Sequence, residues 1–261
     1  SCFRAYRFVD NSKAYDTVDS AEVFGKSGKA FGRFQKYLSD FPAESLSEII
    51  KNFHNTIWRY ENEFIPAVQA DKADRAVNCG EEIKFVMHRR EDCKKLVELI
   101  EKGELPLRVT HNDTKLNNVL FDSDSDDAIC VIDLDTVMPG LALYDFGDSI
   151  RFGANSCAED DDNYDKVELM LDYFEAYAKG FLSEAGDALN QCEIDNLAFS
   201  AKLMTFECGM RFLTDYLNGD TYFKTAYPEH NLVRAKNQFA LVADMERKME
   251  QMQQIIKNIT E

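Results

Sequence analysis

The sequence lacks any apolar run approaching eighteen residues and any secretory leader of the usual kind. It also lacks paired cysteines, because no C-x-x-C spacing occurs and the total is odd. The seven cysteines stand at positions 2, 79, 93, 130, 157, 192 and 208. This scatter is neither a disulfide framework nor a zinc site, and it fits a reducing compartment. We therefore expect a cytoplasmic protein that does not bind a membrane.

Positive charge is scarce as well. The 30 Lys and Arg residues are outnumbered by 47 Asp and Glu residues, which gives a formal net charge of −17. Nucleic-acid binding requires clustered cations to meet the phosphates, so a nucleic-acid partner is excluded. The chain of 261 residues, with 45% hydrophobic and 30% charged residues, has a globular composition and enough length for a large core.

Two segments imitate ligand loops without meeting their requirements. GKSGKAFG (25–32) places two residues between Gly25 and the Gly28-Lys29 pair, whereas a phosphate loop needs four, and Ala30 replaces the hydroxyl residue. DSDSDD (122–127) has the alternating acids of a calcium loop, but Asp127 occupies the glycine position. We interpret the second segment as an acidic hairpin turn.

Hydrophobic periodicity predicts an α+β protein with a mostly helical body and a small β patch. Three glycines in the first helix predict close packing against a neighbouring helix. The pattern in residues 45–102 is helical, with breaks near Pro66 and residues 78–80. The predicted strands are 3–9, 107–110, 119–121 and 128–133, and the other predicted helices are 20–39, 144–153, 164–185, 191–217 and 230–258.

The β patch carries an unusual polar loop, VTHNDTKLNNVLF (109–121), followed by Asp133 at the end of an apolar strand. Phosphoryl transfer from a nucleotide needs a carboxylate to accept the proton of the attacking hydroxyl, and oxygen ligands for Mg²⁺. The pattern H-x-D-x-x-x-x-N followed by a strand-end Asp supplies these groups at the spacing that kinases use. Asp113 is then the base, Asn118 and Asp133 hold the metal, and Lys115 lies near the moving phosphoryl group.

His111 is expected to have a structural role, packing under the metal-binding strand. Two other interpretations of these segments stay open. The polar residues could be satisfied groups in a surface loop. CVIDLDTV (130–137) also resembles the D-x-D motif of haloacid-dehalogenase-type phosphatases, in which Asp133 would be a nucleophile. That motif usually continues with Gly-Thr and lies in a parallel sheet, which the helical pattern after residue 144 does not predict.

Three longer segments resemble the aminoglycoside/choline kinase-like phosphotransferase family: THNDTKLNNVLFD, CVIDLDTVMPGLALYDFGDSIRFGA and ECGMRFLTDYLNGDTYF. Within it they are most similar to members that use ATP to phosphorylate the anomeric hydroxyl of N-acetylglucosamine or N-acetylgalactosamine. AFGRFQKYLSDFP (30–42) and KNFHNT (51–56) extend the similarity along the chain. The resemblance implies Mg²⁺ and ATP as cofactors, and a sugar and a nucleotide as small-molecule partners.

The resemblance also implies roles for individual positions. The family's base falls on Asp113, and its magnesium ligands fall on Asn118 and Asp133. Asp145 and Asp148 correspond to acids that anchor the loop. The implied substrate contacts are Asp113, Lys115, Asp135, Arg211 and Tyr222.

Arg211 and Tyr222 each have a simpler interpretation as well. Arg211 could be a helix-surface cation, although its small and apolar neighbours predict a partly buried guanidinium with an oxygen partner. Tyr222 could be a packing aromatic.

Kinase-like folds cover the phosphates with a Gly-rich hairpin and a strand lysine of an N-terminal lobe. This sequence has neither, so we expect the N-terminal lobe to be largely absent. Residues 1–12 are predicted to be the last strand of that lobe and the hinge, with a possible adenine contact at 8–11, and residues 13–261 the C-terminal lobe. We expect this chain to be inactive by itself, because losing positioning groups slows catalysis by many orders of magnitude.

Two alternative functions remain at this point. One is a kinase of another small alcohol, such as choline or an aminoglycoside; a choline site would need an aromatic or acidic cage. The other is a sugar-binding module without catalysis.

Overall fold

The structure is a computed structural model that describes residues 5–18 and 20–261. Its helices are α1 (Ala21–Tyr37), α2 (Thr56–Arg59), α3 (Ile65–Ala70), α4 (Gly80–Met87), α5 (Lys95–Glu101), α6 (Ala142–Gly153), α7 (Leu171–Ala185), α8 (Gln191–Asn218) and α9 (His230–Thr260). Its strands are β1 (Ser12–Lys13), β2 (Arg108–Thr110), β3 (Val119–Asp122), β4 (Ala128–Val131) and β5 (Met138–Gly140). None of the helices within the described residues is long and apolar enough to cross a bilayer.

The strands form two small antiparallel sheets rather than one patch. The first sheet has the order β1-β3-β4, and Val119 of β3 lies opposite Val131 of β4. The second pairs β2 with β5, so that Arg108 lies opposite Gly140. The polar loop leaves β2 in the second sheet and enters β3 in the first, so it bridges the two sheets. β5 was not predicted, because its central Pro139 argues against a strand.

The helical body surrounds an aromatic core. Helix α1 packs along α7, α6 packs on α8, and α8 packs along α9. Phe146 of α6 makes edge contacts with Tyr177 and Phe181 of α7, with ring centroids 5.6 and 5.4 Å apart. This mostly helical architecture with small sheets confirms the predicted α+β class.

The glycines of α1 allow its close approach to α7. A Cβ atom at Gly28 or Gly32 would overlap the carbonyl oxygens of Tyr177 and Phe181, respectively. On the opposite helix, a Cβ atom at Gly180 would overlap the Gly25 carbonyl oxygen. The close packing predicted from these glycines is confirmed, and it brings α1 under the polar loop.

Several predicted boundaries are wrong. Residues 3 and 4 of the predicted strand 3–9 lie outside the described residues, and residues 5–9 are not strand. The short strand lies instead at Ser12–Lys13, where it pairs with β3. Residues 46–55 contain no helix. The predicted helix 164–185 begins only at Leu171, because residues 167–170 are extended and include a bridge from Leu169 to Asn155.

The predicted break at Pro66 is also wrong. A π-helical turn (Tyr60–Phe64) joins α2 to α3, and Pro66 lies in the first turn of α3. Proline lacks the N–H group that would bond to the preceding turn, and the wider π turn there accommodates its ring. The helical path therefore continues from Thr56 to Ala70.

Candidate active site

The polar loop between β2 and β3 is fixed by a buried carboxylate of α6. Asp145 accepts hydrogen bonds from the main-chain N–H groups of His111 (2.9 Å) and Asn112 (2.8 Å) and from Nε2 of Gln35 (2.8 Å). Burial raises the pKa of Asp145, while His111 and the N–H donors act in the opposite direction. Asp145 thus connects the loop to α6 and, through Gln35, to α1.

His111 ties the loop to the end of β4. Its Nε2 lies 2.9 Å from the carbonyl oxygen of Ile132, which can only accept, so Nε2 carries the proton. Nδ1 then accepts a hydrogen bond from the main-chain N–H of Asp113, at 3.3 Å. The ring is buried and makes edge contacts with Phe31 and Phe34 of α1. His111 therefore lies under the end of β4 and is hydrogen-bonded to the main chain of Asp113.

Asp113 is held from two sides. Nδ2 of Asn118 donates to its main-chain oxygen (2.8 Å) and to its carboxylate (3.1 Å). Nζ of Lys115 lies 2.9 Å from the other carboxylate oxygen. Burial lowers the pKa of Lys115, but the charge of Asp113 and its hydrogen bond outweigh burial, and the net pKa is raised. The Asp113 side chain remains 28% exposed, so a ligand can reach it.

Asn118 and Asp133 lie at neighbouring strand ends. The carbonyl oxygen of Asn118 accepts a hydrogen bond from the N–H of Ile132 at 2.9 Å. Asp133 is the next residue after Ile132. Asp133 is exposed and adopts a left-handed conformation with φ of 58°. Asp adopts this conformation more readily than most residues other than glycine. Asp135 is exposed in the turn that follows.

The oxygens of these two side chains suit a hard cation. Among the described residues, neither Oδ1 of Asn118 nor the carboxylate of Asp133 has a hydrogen-bond or ion-pair partner. Mg²⁺ prefers a few protein oxygens, completed by phosphate and water. Within the same residues no group of three or more His, Cys, Asp or Glu side chains could hold a metal ion. The donors present therefore fit an Mg²⁺ ion that is shared with a phosphate.

A cavity of about 350 Å³ opens beside Asp113. Its floor includes Asp148, which was expected to anchor the polar loop but pairs with Arg151 at 2.9 Å instead. Burial opposes ionisation of Asp148, but Arg151 lowers its pKa, with smaller contributions from His54 and Lys115. The cavity is also lined by Asp113, Lys115, His54, Glu207, Phe53, Arg211, Tyr222 and Phe223.

Arg211 is surrounded by aromatic rings. Its guanidinium carbon lies 5.1 Å from the ring centroid of Phe53, 5.5 Å from that of Phe223 and 5.8 Å from that of Tyr222. The oxygen partner expected for Arg211 is not found, since it makes no hydrogen bond or ion pair with any described residue. The rings replace the carboxylate through cation–π contacts. The N–H donors of Arg211 remain available to a ligand in the cavity.

Tyr222 and Phe223 are positioned by Asp215, a residue that the sequence did not single out. The Asp215 carboxylate accepts the main-chain N–H groups of Thr221, Tyr222 and Phe223, each at 2.9 Å. Nδ2 of Asn231 donates to the same carboxylate at 2.9 Å. Tyr222 itself is 67% exposed. Asp215 therefore determines where the two rings lie relative to Arg211.

The sequence also gave no role to His54 and Glu207. Nδ1 of His54 lies 2.8 Å from Oε1 of Glu207, and Thr56 donates to Oε2 of the same carboxylate. Glu207 is fully buried, which opposes ionisation, but His54, Arg59 and Thr56 lower its pKa. Both residues fall in segments that carried the family resemblance, KNFHNT and ECGMRF, which was the available signal.

The structure thus brings Asp113, Lys115, Asp148, Arg211 and Tyr222 to one cavity. Asn118 is joined to this group by its hydrogen bonds to Asp113, whereas Asp133 and Asp135 lie outside the cavity lining. The Asp133 strand runs antiparallel to its neighbour, and no strand pair within residues 5–18 and 20–261 is parallel. This topology contradicts the phosphatase interpretation of the D-x-D motif.

A loop of this composition between two small sheets on a helical body defines a kinase-like phosphotransferase. The family model described as the phosphotransferase enzyme family (APH) matches residues 1–180. The chain belongs to this family.

Two solved structures share its fold. An ethanolamine kinase of Plasmodium vivax aligns with a TM-score of 0.55 and 16% identity, over 89% of this chain and 64% of that one. A choline kinase of Cryptosporidium parvum Iowa II aligns with a TM-score of 0.57 and 14% identity, over 97% of this chain and 72% of that one. At these identities the similarity shows the kinase-like fold alone. This chain therefore spans less than two thirds of the length of the ethanolamine kinase.

Proposed function

We propose that this chain is the substrate- and metal-binding lobe of an ATP-dependent kinase of a neutral sugar, and that the acceptor is the anomeric hydroxyl of an N-acetylhexosamine. The observation that carries this choice is the position of Arg211 among Phe53, Tyr222 and Phe223. A quaternary ammonium would need an aromatic cage of this kind. Here the rings already hold the chain's own cation, which would repel choline and donate hydrogen bonds to sugar oxygens.

Asp113 is the proposed base. Its carboxylate would accept the proton of the acceptor hydroxyl, and Asn118 and His111 fix its orientation through the hydrogen bonds described above. Lys115, 2.9 Å from Asp113, would lie close to the transferred phosphoryl group and offset its charge. Positioning and charge stabilisation account for most of the rate enhancement in phosphoryl transfer.

Asn118 and Asp133 would hold Mg²⁺, through Oδ1 and the carboxylate. When bound, the ion would neutralise phosphate charge.

Asp135 is proposed to contact substrate, and Arg211 and Tyr222 would bind the sugar. Asp145, His111 and Asp148 support the site by hydrogen bonds and ion pairs. Residues 1–12 are proposed to belong to the hinge that follows an N-terminal lobe, and residues 13–261 to the C-terminal lobe.

The full-length protein, supplied with ATP, Mg²⁺ and N-acetylglucosamine, is the test. We expect a sugar 1-phosphate, detected by phosphorus NMR. Asp113→Asn is expected to lower kcat about 10²- to 10⁴-fold, the usual contribution of a general base. Asp187→Asn, on the exposed surface, is the matched control.

The second candidate is a kinase of choline or ethanolamine, which the names of the two structural neighbours suggest. The same assay with these two amino alcohols distinguishes the candidates. Phosphorylation of either amino alcohol in preference to the sugar would contradict a sugar acceptor, but it would agree with kinase activity. Full activity of the Asp113→Asn variant would overturn the assignment of the base.

A further inference from the structure

The buried pair formed by His54 and Glu207 has one unused hydrogen-bonding atom. The His54 side chain is 7% exposed, and its ring lies between those of Phe53 and Tyr144, with centroids 4.3 and 5.1 Å away. Nδ1 is bound to Glu207. Nε2 is buried and has no hydrogen-bond partner among the described residues. Buried polar atoms are almost always paired, so an unpaired one calls for an explanation.

The chemistry of the pair determines what Nε2 can accept. Glu207 carries a charge and Thr56 already donates to one of its oxygens, so Nδ1–H of His54 must donate to the other. A carboxylate bound to one ring nitrogen fixes the tautomer and orients the other nitrogen. In the neutral ring Nε2 therefore presents a lone pair, and it requires an O–H or N–H donor.

Location connects this atom to the acceptor. His54 and Glu207 line the same cavity as Asp113 and Arg211. His54 also lines a second cavity on the other side of Phe53, which lacks Asp113 and Arg211. We assign the acceptor to the first cavity, because the candidate base Asp113 lines it.

We infer that His54 is a specificity-determining residue, whose Nε2 accepts a hydrogen bond from a ring hydroxyl or amide N–H of the acceptor, with Glu207 as its positioning residue. This inference rests on the proposed function, since it assigns the acceptor of that same site. A site built to bind one donor group rejects an analogue that lacks this group, because Nε2 is then left unpaired.

The test is a set of acceptor analogues: 2-deoxyglucose, which lacks the whole acetamido group, and the 3-, 4- and 6-deoxy forms of N-acetylglucosamine, each of which lacks one hydroxyl donor. Binding to the full-length protein is measured by calorimetry, and turnover is measured in parallel. We expect one analogue to bind about 10- to 100-fold more weakly than N-acetylglucosamine to the unaltered protein. His54→Asn keeps a donor for Glu207 but removes Nε2, so this discrimination should disappear.

His54→Gln is the conservative variant, because its amide oxygen can replace the Nε2 lone pair, and it should retain part of the discrimination. The exposed residue His88 provides the control, as His88→Asn should leave the preference unchanged. Thermal unfolding establishes that each variant is folded.

The outcomes separate the two proposals. If the unaltered protein binds no sugar of the set, the proposed function fails and this inference fails with it. If it binds them, but His54→Asn lowers the binding affinity for all acceptors by one common factor, then His54 has only a structural role. In that case only this inference is overturned.

Discussion

The side-chain amide of Asn118 donates to both the main-chain oxygen and the carboxylate of Asp113, at 2.8 and 3.1 Å. One amide therefore orients the candidate base and leaves its own oxygen for a cation. A carboxylate at this position could also bind the cation, but it could not donate a hydrogen bond to Asp113.

Replacing that amide with a carboxylate should destabilise the loop. In the Asn118→Asp variant two carboxylates face each other without a donor, and like charges at this distance raise the pKa of one of them. We expect the free energy of unfolding to fall by about 1–3 kcal/mol at neutral pH. Because the pKa is raised in the folded state, the loss should shrink as the pH falls through that raised value toward about 4, the ordinary pKa of Asp.

Urea unfolding at pH 7 and at pH 4 provides the measurement. Asn117→Asp is the matched control, since Asn117 is exposed and adjacent. Equal losses of unfolding free energy for the two variants would show that the contact between Asn118 and Asp113 does not stabilise the fold.

Local sequence patterns predicted the parts of this site that are close in sequence. The spacing of polar residues between strand signals located Asp113, Lys115 and Asn118, and the aromatic spacing of α1 located the helix beneath them. Asp145 came from the resemblance. Its hydrogen bond to Gln35 joins residues 110 positions apart, a pairing that periodicity does not contain.

The site contacts that the sequence did not predict join residues far apart along the chain. Nδ1 of His54 lies within hydrogen-bond distance of Glu207, 153 positions away, and each residue alone is an ordinary polar residue. An oxygen partner was predicted for Arg211, because the small and apolar residues beside it in the sequence indicate a partly buried cation. The sequence does not show which groups surround that cation in the fold. β5 was missed since Pro139 disfavours a strand, yet the two-stranded sheet accepts it at an edge.

The close contact of α1 and α7 should be sensitive to a single methyl group. In Gly180→Ala the new Cβ atom would overlap the carbonyl oxygen of Gly25, which belongs to the backbone and cannot move independently. We expect the free energy of unfolding to fall by about 1–3 kcal/mol or more, the usual cost of overpacking. Chemical denaturation measures this loss.

Gly186 supplies a control at the end of the same helix. No atom lies within 4 Å of a Cβ atom placed there, so Gly186→Ala should be neutral or stabilising by up to about 1 kcal/mol. Similar effects of the two substitutions would contradict a tight contact between α1 and α7.

The loop that carries Tyr222 and Phe223 should depend on Asp215. Asp215→Ala removes the acceptor of three main-chain N–H groups, and we expect a loss of about 2–4 kcal/mol in unfolding free energy. Amide hydrogen exchange at residues 221–223 should accelerate at least about tenfold as local opening becomes easier. Asp195→Ala, at an exposed position of the same helix, should change neither quantity. Unchanged exchange at residues 221–223 would show that the loop is held by other contacts.

The pair formed by Glu207 and His54 should give a pH-dependent contribution to stability. The pKa of Glu207 is lowered from 4.5 in the folded protein, so the carboxylate stabilises the fold fully above pH 4.5. This stabilisation is lost as the pH falls through the lower folded-state value.

Glu207→Gln mimics the protonated acid. At pH 7 we expect the variant to be less stable than the unaltered protein by about 1–3 kcal/mol, and the difference should narrow only below pH 4.5. Glu44→Gln, at an exposed position, is the control and should show no such difference. Free energies of unfolding measured by urea denaturation between pH 3 and pH 7 supply the comparison. A difference that stays constant over this range would show that the charge of Glu207 does not stabilise the fold, because neutralising it would then cost nothing.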